Sequence, residues 1–239
     1  MNIHAIVVSH CPELAVIAVT SLREIARVEH GALIATAMPR DVPYPSPIGW
    51  TITGMISDRA DATAHARGIE LARSFVSPAD AYLIFDDDAV VLSERFRSTL
   101  EASFASGFAA WGGYKWGADM LQSSCLAITA SWFEQITTFA SQLPAHDTTG
   151  IAQRQIIQGG VRLHAEPEHM TKDGWPTYGP DAAHPLWAHL GGGTAHAPVS
   201  WTRQIGRRVK AAIGSEISRD FLVKAKMRQA WIGRYGGPR

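Results

Sequence analysis

Cysteine is scarce in this 239-residue chain, and its scarcity excludes a class of folds at once. The two cysteines, Cys11 and Cys125, stand far apart and neither belongs to a Cys-x-x-Cys pair, so no disulfide framework is expected. Both read as small apolar core residues. Also missing is any uninterrupted apolar run near the ~18 residues of a membrane span. The opening stretch MNIHAIVVSHCPE has neither the basic region nor the cleavage site of a secretory leader, which points to a cytoplasmic protein. No internal repeat and no low-complexity tract interrupts the chain.

An excess of one charge is lacking too, since 22 Lys and Arg balance 22 Asp and Glu. The balance conceals an asymmetry. Residues 201–239 carry ten basic side chains against Glu216 and Asp220, a net +8, while the first 200 carry twelve against twenty, a net −8. An acidic body argues against nucleic acid as a partner. In the basic segment Ile205, Val209, Ile213, Ile217, Phe221, Met227 and Trp231 recur at near-helical spacing, which predicts one or two amphipathic helices. Three roles suit them: docking on the acidic body, pairing with a second subunit, or peripheral contact with an anionic membrane. Hydrophobic content of 46% supports one sizeable core, giving a domain over 1–200 and a helical extension over 201–239.

Within the body, residues 3–8 (Ile-His-Ala-Ile-Val-Val) read as a buried parallel strand, and Pro12 with Glu13 opens a helix to about 27. A second strand covers 32–37, followed by a loop in which Pro43, Pro45, Pro47 and Gly49 are too dense for regular structure. A helix over 58–75 precedes the strand at 81–85. Such alternation is that of an α/β fold with a largely parallel sheet. Further on, helices are expected at 93–106, 131–140 and 148–159, with strands at 108–111, 123–129 and 161–165. Residues 166–198, rich in His, Pro and Gly, read as a long ligand-facing loop.

The run AYLIFDDDAVV carries the most chemistry. Three adjacent carboxylates, Asp86, Asp87 and Asp88, follow an apolar strand and repel one another, so a positive partner is expected beside them. Alternation along an extended chain puts Asp86 and Asp88 on one face and Asp87 on the other. An Asp-x-Asp pair at the carboxyl end of a strand suits Mg²⁺ or Mn²⁺ held beside phosphate, although an acidic turn is the plain alternative. Trp111, Tyr114, Trp116, Trp175, Tyr178 and Trp187 are aromatic rings able to stack on a sugar, with core packing as the alternative for each.

Taken in order, these segments resemble the GT-A glycosyltransferases, above all the family-two enzymes that use nucleotide-activated sugars. The likeness spans about the first 200 residues. IHAIVVSHCPE is similar to the family's first strand and turn, HARGI (65–69) to its Ala-Arg-Asn-x-Gly-Ile helix without the Asn, and AYLIFDDDAVV to its metal-binding strand. His146-Asp147 is similar to the acidic pair before a helix, SSCLAITASWFEQI to the segment under the acceptor, and HLGGGTAH to the closing His-x-Gly-Gly segment. The usual Asp-x-x-Ser ending of the second strand is absent, with Arg40 and Asp41 in its place.

The resemblance implies a Rossmann-like GT-A domain with a mixed, mainly parallel sheet, and transfer of a sugar from a nucleotide diphosphate, uridine diphosphate by preference. The acceptor would be the hydroxyl of a glycan, a lipid-linked sugar or a protein. It assigns Asp86, Asp88 and His189 to Mn²⁺ or Mg²⁺, with His196 and then His184 as alternatives to His189. Donor contacts fall to Ser9, Arg40, Asp41, Arg67, Asp86 and Asp87, and acceptor contacts to Tyr114 and Trp116. Asp147 would be the general base of an inverting reaction, although a carboxylate before a helix is also an ordinary cap. Two other readings stay open: a sugar nucleotidyltransferase, against which SHCPELAV lacks a Gly-rich basic loop, and a non-catalytic carbohydrate- or nucleotide-binding module.

Overall fold

The computed structural model describes residues 1–9, 12–35, 48–54, 62–115, 120–140, 148–170 and 176–189. In chain order the elements are β1 (Ile3–Ser9), α1 (Pro12–Glu24), β2 (His30–Ala35), β3 (Trp50–Gly54), α2 (Ala62–Ala72), β4 (Ala81–Asp86), β5 (Ala89–Val91) and α3 (Arg95–Ala105). They continue as β6 (Ala110–Tyr114), β7 (Leu121–Thr129), α4 (Ala130–Gln135), α5 (Gly150–Gln158), β8 (Leu163–Glu166), β9 (Glu168–Met170), β10 (Pro176–Tyr178) and β11 (Trp187–His189).

A seven-stranded sheet runs in the order β3-β2-β1-β4-β7-β6-β8. The pairs β3/β2, β2/β1, β1/β4 and β6/β8 are parallel, while β7 lies antiparallel between β4 and β6. This is the mixed, mainly parallel α/β sheet expected. Strands covered on both faces favour apolar residues throughout, and all seven residues of β1 are buried, with only His4 and Ser9 polar. Ile3, Ala5, Val7, Leu83 and Phe85 join one core with α1, while Ile6, Val8, Tyr82 and Ile84 join the other with α2, α4 and α5. Gly68 is what lets α2 lie close on β1, because a Cβ there would sit 2.7 Å from Val8 Cγ1.

A second, four-stranded antiparallel sheet, β5-β11-β10-β9, was not anticipated. Three of its strands lie within 166–198, so the expected long loop is corrected wherever that stretch is described. Packing explains the outcome. Trp187 stacks on Tyr178 at 5.1 Å, lies 4.9 Å from Trp111, and meets Phe96 edge-on at 5.9 Å. All four rings are fully buried, so Trp111, Tyr178 and Trp187 form core and not a sugar platform. Burial of each contributes about 1.5–3 kcal/mol before ordering entropy, enough to hold three-residue strands against the main sheet.

Smaller differences have local causes. β3 follows directly on the proline-rich stretch because Trp50 packs over the bare backbone of Gly31 on β2. The helix expected at 131–140 ends at Gln135, where Ile136 turns extended and Arg73 donates to the carbonyls of Ile136 at 2.9 Å and Phe133 at 3.3 Å. Gly112, Gly113 and Tyr114, read as loop, belong to β6. Cys125 is buried as expected, whereas Cys11 and the extension over 201–239 lie outside the described residues. Among the described residues no helix is long and apolar enough to cross a membrane.

Candidate functional site

β1 and β4 end side by side, with Val8 paired to Asp86, so both deliver their last side chains to one edge of the sheet. Asp86 closes β4, Asp87 and Asp88 form a tight turn, and Ala89 starts β5. The turn, not an extended run, separates the three carboxylates. Asp87 is buried and accepts a 2.8 Å hydrogen bond from the Oγ of buried Ser9. Asp86 and Asp88 point elsewhere, toward β11.

β11 reaches them because β5 is its partner, with Ala89 opposite His189 and Val91 opposite Trp187. The backbone N–H of Val91 also donates to Ser21 Oγ on α1 at 3.1 Å, which fixes β5. His189 Nε2 thereby lies 3.2 Å from Asp88 Oδ1 and 3.8 Å from Asp86 Oδ2. One ligand atom from each of the three residues falls within 4.8 Å of the others. Two carboxylates and one imidazole around a common point fit a divalent cation such as Mn²⁺.

From the α2 side comes a residue that the sequence reading passed over. His65 Nε2 lies 3.0 Å from Asp86 Oδ1, so Asp86 is flanked by two imidazoles, one near each oxygen. A signal for it did exist. When Ala-Arg-Asn-x-Gly-Ile is anchored on Gly68-Ile69, His65 falls at the Arg position. Arg67, named for the donor, is exposed and sits two residues on, about 200° around the helix from His65.

The field of these acids extends inward. Burial, then the charges of Asp86 and Glu166, push the Cys125 thiol well above its ordinary range, so it stays protonated beneath the site. Glu166 is itself buried and accepts a 2.8 Å bond from Trp111 Nε1. Burial and the adjacent Glu168 likewise raise the Tyr178 hydroxyl, which donates to Glu168 at 3.2 Å.

Tyr114 is half-exposed at the end of β6. Arg40, Asp41, Trp116, Asp147 and His196 lie outside the described residues. His184 is described, and it stands apart from the acids, its Nδ1 3.0 Å from Asp181 Oδ1 in an exposed turn. A cleft lined by Arg73, Val76, Pro78, Tyr82, Phe133 and Glu134 opens beside the start of β4, away from the acid cluster.

A mannosyltransferase from Pyrobaculum calidifontis, solved with GDP-Man and Mn²⁺, superposes over 99% of this chain and 76% of its own, with a TM-score of 0.53 at 14% identity. The fold is GT-A. Glucosyl-3-phosphoglycerate synthase from Mycobacterium tuberculosis, solved with Mn²⁺, UDP-glucose and phosphoglyceric acid, gives 0.49 at 11% identity over 94% of this chain and 80% of its own. A 2-C-methyl-D-erythritol 4-phosphate cytidylyltransferase from Thermus thermophilus gives 0.45 at 10% over 69% and 88%. At those scores neither bears on the assignment. No family model and no curated protein matches the chain. On this GT-A scaffold the acid cluster occupies the strand ends where open α/β sheets bind ligands.

Proposed function

We propose that this chain is a divalent-metal-dependent glycosyltransferase that moves a sugar from a nucleotide diphosphate to an acceptor hydroxyl with inversion. The observation that carries the reading is the convergence of Asp86, Asp88 and His189 at the carboxyl end of β4 in a GT-A fold. When bound, a divalent cation neutralises the leaving diphosphate and acts as a Lewis acid. Asp86, Asp88 and His189 would hold it, and the imidazole in this set favours Mn²⁺ over Mg²⁺, which prefers oxygen donors alone.

Arg40 and Asp41 are assigned to the nucleotide side, with buried Ser9 and Asp87 bracing the first strand's end beside them. Asp147 takes the proton of the acceptor hydroxyl as its oxygen bonds to the anomeric carbon. The bond from that carbon to the diphosphate oxygen breaks on the opposite face, and the electron pair leaves with the diphosphate. Tyr114 and Trp116 stack on the acceptor, a glycan, a lipid-linked sugar or a protein. A uridine diphosphate donor is favoured, as is action in the cytoplasm. The basic segment 201–239, whose apolar spacing predicts amphipathic helices, is assigned to docking on the acidic body of this or a second copy, with an anionic membrane surface as the other outcome.

Hydrolysis of a panel of nucleotide sugars, with and without Mn²⁺, tests this reading. Mn²⁺-dependent release of nucleoside diphosphate from one donor is expected. Pyrophosphate exchange with nucleoside triphosphate in its place would make the protein a nucleotidyltransferase, and no turnover with tight ligand binding would make it a binding module.

A further inference from the structure

His65 projects from a helix that Gly68 brings unusually close to β1, and its imidazole stops against the last side chain of β4. Nε2 of His65 and Oδ1 of Asp86 are both shut off from water, and they lie 3.0 Å apart. A carboxylate oxygen withdrawn from water needs a positive or proton-bearing neighbour, and an Nε2–H imidazole supplies one in its neutral tautomer or as the cation.

The other oxygen faces the opposite way. Asp86 Oδ2 is the atom 3.8 Å from His189, on the side of Asp88. His65 is not part of the Asp86-Asp88-His189 cluster, so it is placed to act through Asp86 and not as a ligand. Ligating carboxylates commonly depend on such outer partners for their orientation.

We infer that His65 is a positioning residue which holds Oδ1 of Asp86 and thereby presents Oδ2 to the cation. The inference rests on the cation site proposed above and adds a specific restraint to it. Asp86 would otherwise rotate about its side-chain torsions in a half-exposed position, and the cation would have to order it on binding.

Equilibrium binding of Mn²⁺ alone to the full chain, followed by loss of the free-ion paramagnetic resonance signal, tests this without relying on activity. His65→Leu fills the space but offers no donor, and His65→Gln keeps an N–H at similar reach. Melting temperatures of both variants check that α2 remains folded. His65→Leu is expected to weaken Mn²⁺ binding about 10–100-fold, with most of the loss restored in His65→Gln. Equal affinity in His65→Leu and wild type, or equal losses in Leu and Gln variants, would overturn the positioning role alone. If wild type binds no Mn²⁺, or Asp88→Ala binds as well as wild type, the cation site itself fails and the His65 inference with it.

Discussion

Ser9 Oγ donates a 2.8 Å hydrogen bond to Asp87 Oδ2 across the adjoining ends of two parallel strands, and both side chains are buried. That bond turns the middle carboxylate of the triplet away from the outer two, leaving Asp86 and Asp88 to face His189. Removing the hydroxyl strips one bond from a buried carboxylate, which costs about 1–3 kcal/mol. Ser9→Ala should therefore lower stability by that amount in urea unfolding. The effect should nearly vanish when Asp87 is already Ala, which leaves the hydroxyl no acceptor, and strictly additive losses would mean that the two side chains are not coupled.

Trp187 ties the second sheet to the first, and His189 follows it by two residues. Truncating a fully buried Trp costs about 3–5 kcal/mol. Trp187→Ala should lower the unfolding midpoint accordingly and also weaken Mn²⁺ binding, while Trp187→Phe should do less of both. Unchanged Mn²⁺ affinity in a clearly destabilised Trp187→Ala would show that His189 is not held through this ring cluster.

Burial, followed by the neighbouring charge of His30, holds the His4 imidazole below its ordinary value. Above about pH 6.5 both folded and unfolded states are neutral there, and the group favours neither. As pH falls below that value the unfolded chain takes a proton that the folded chain refuses, so stability declines until the folded state also protonates. Wild type should lose more melting temperature between pH 7.5 and pH 5 than His4→Phe, which has nothing to titrate at this site. Parallel curves would contradict the assignment.

Much of the fold was legible because its central strands are buried on both faces. Residues 3–8 and 81–85 read directly as largely apolar runs, and helix α2 shows its Ala66, Ile69 and Ala72 side between them. The second sheet was not legible. Its strands are three residues long, too short for alternation to register, and they form because Trp111, Tyr178 and Trp187 find one another across 76 residues of chain. The triplet itself announced charge that needed a partner, and it did so without revealing a turn at Asp87 and Asp88. His65 was missed for a different reason. An incomplete motif drew attention to Arg67, while helical geometry gives the approach to Asp86 to the residue two positions earlier.

Asp147 is assigned the acceptor's proton, a role with a clear kinetic signature. Asp147→Asn should reduce turnover about 10²–10⁴-fold while leaving affinity for the donor diphosphate within a few-fold. Comparable losses in both would make Asp147 a structural residue whose removal disturbs the site as a whole.

The central claim is that donor binding runs through a cation held at the strand end, and titration of uridine or guanosine diphosphate into the protein, with and without Mn²⁺, tests it most directly. The account predicts that Mn²⁺ strengthens binding of one of these diphosphates at least about tenfold and that Asp88→Ala removes the enhancement. Equal affinity with and without Mn²⁺, or an enhancement that survives in Asp88→Ala, would contradict it.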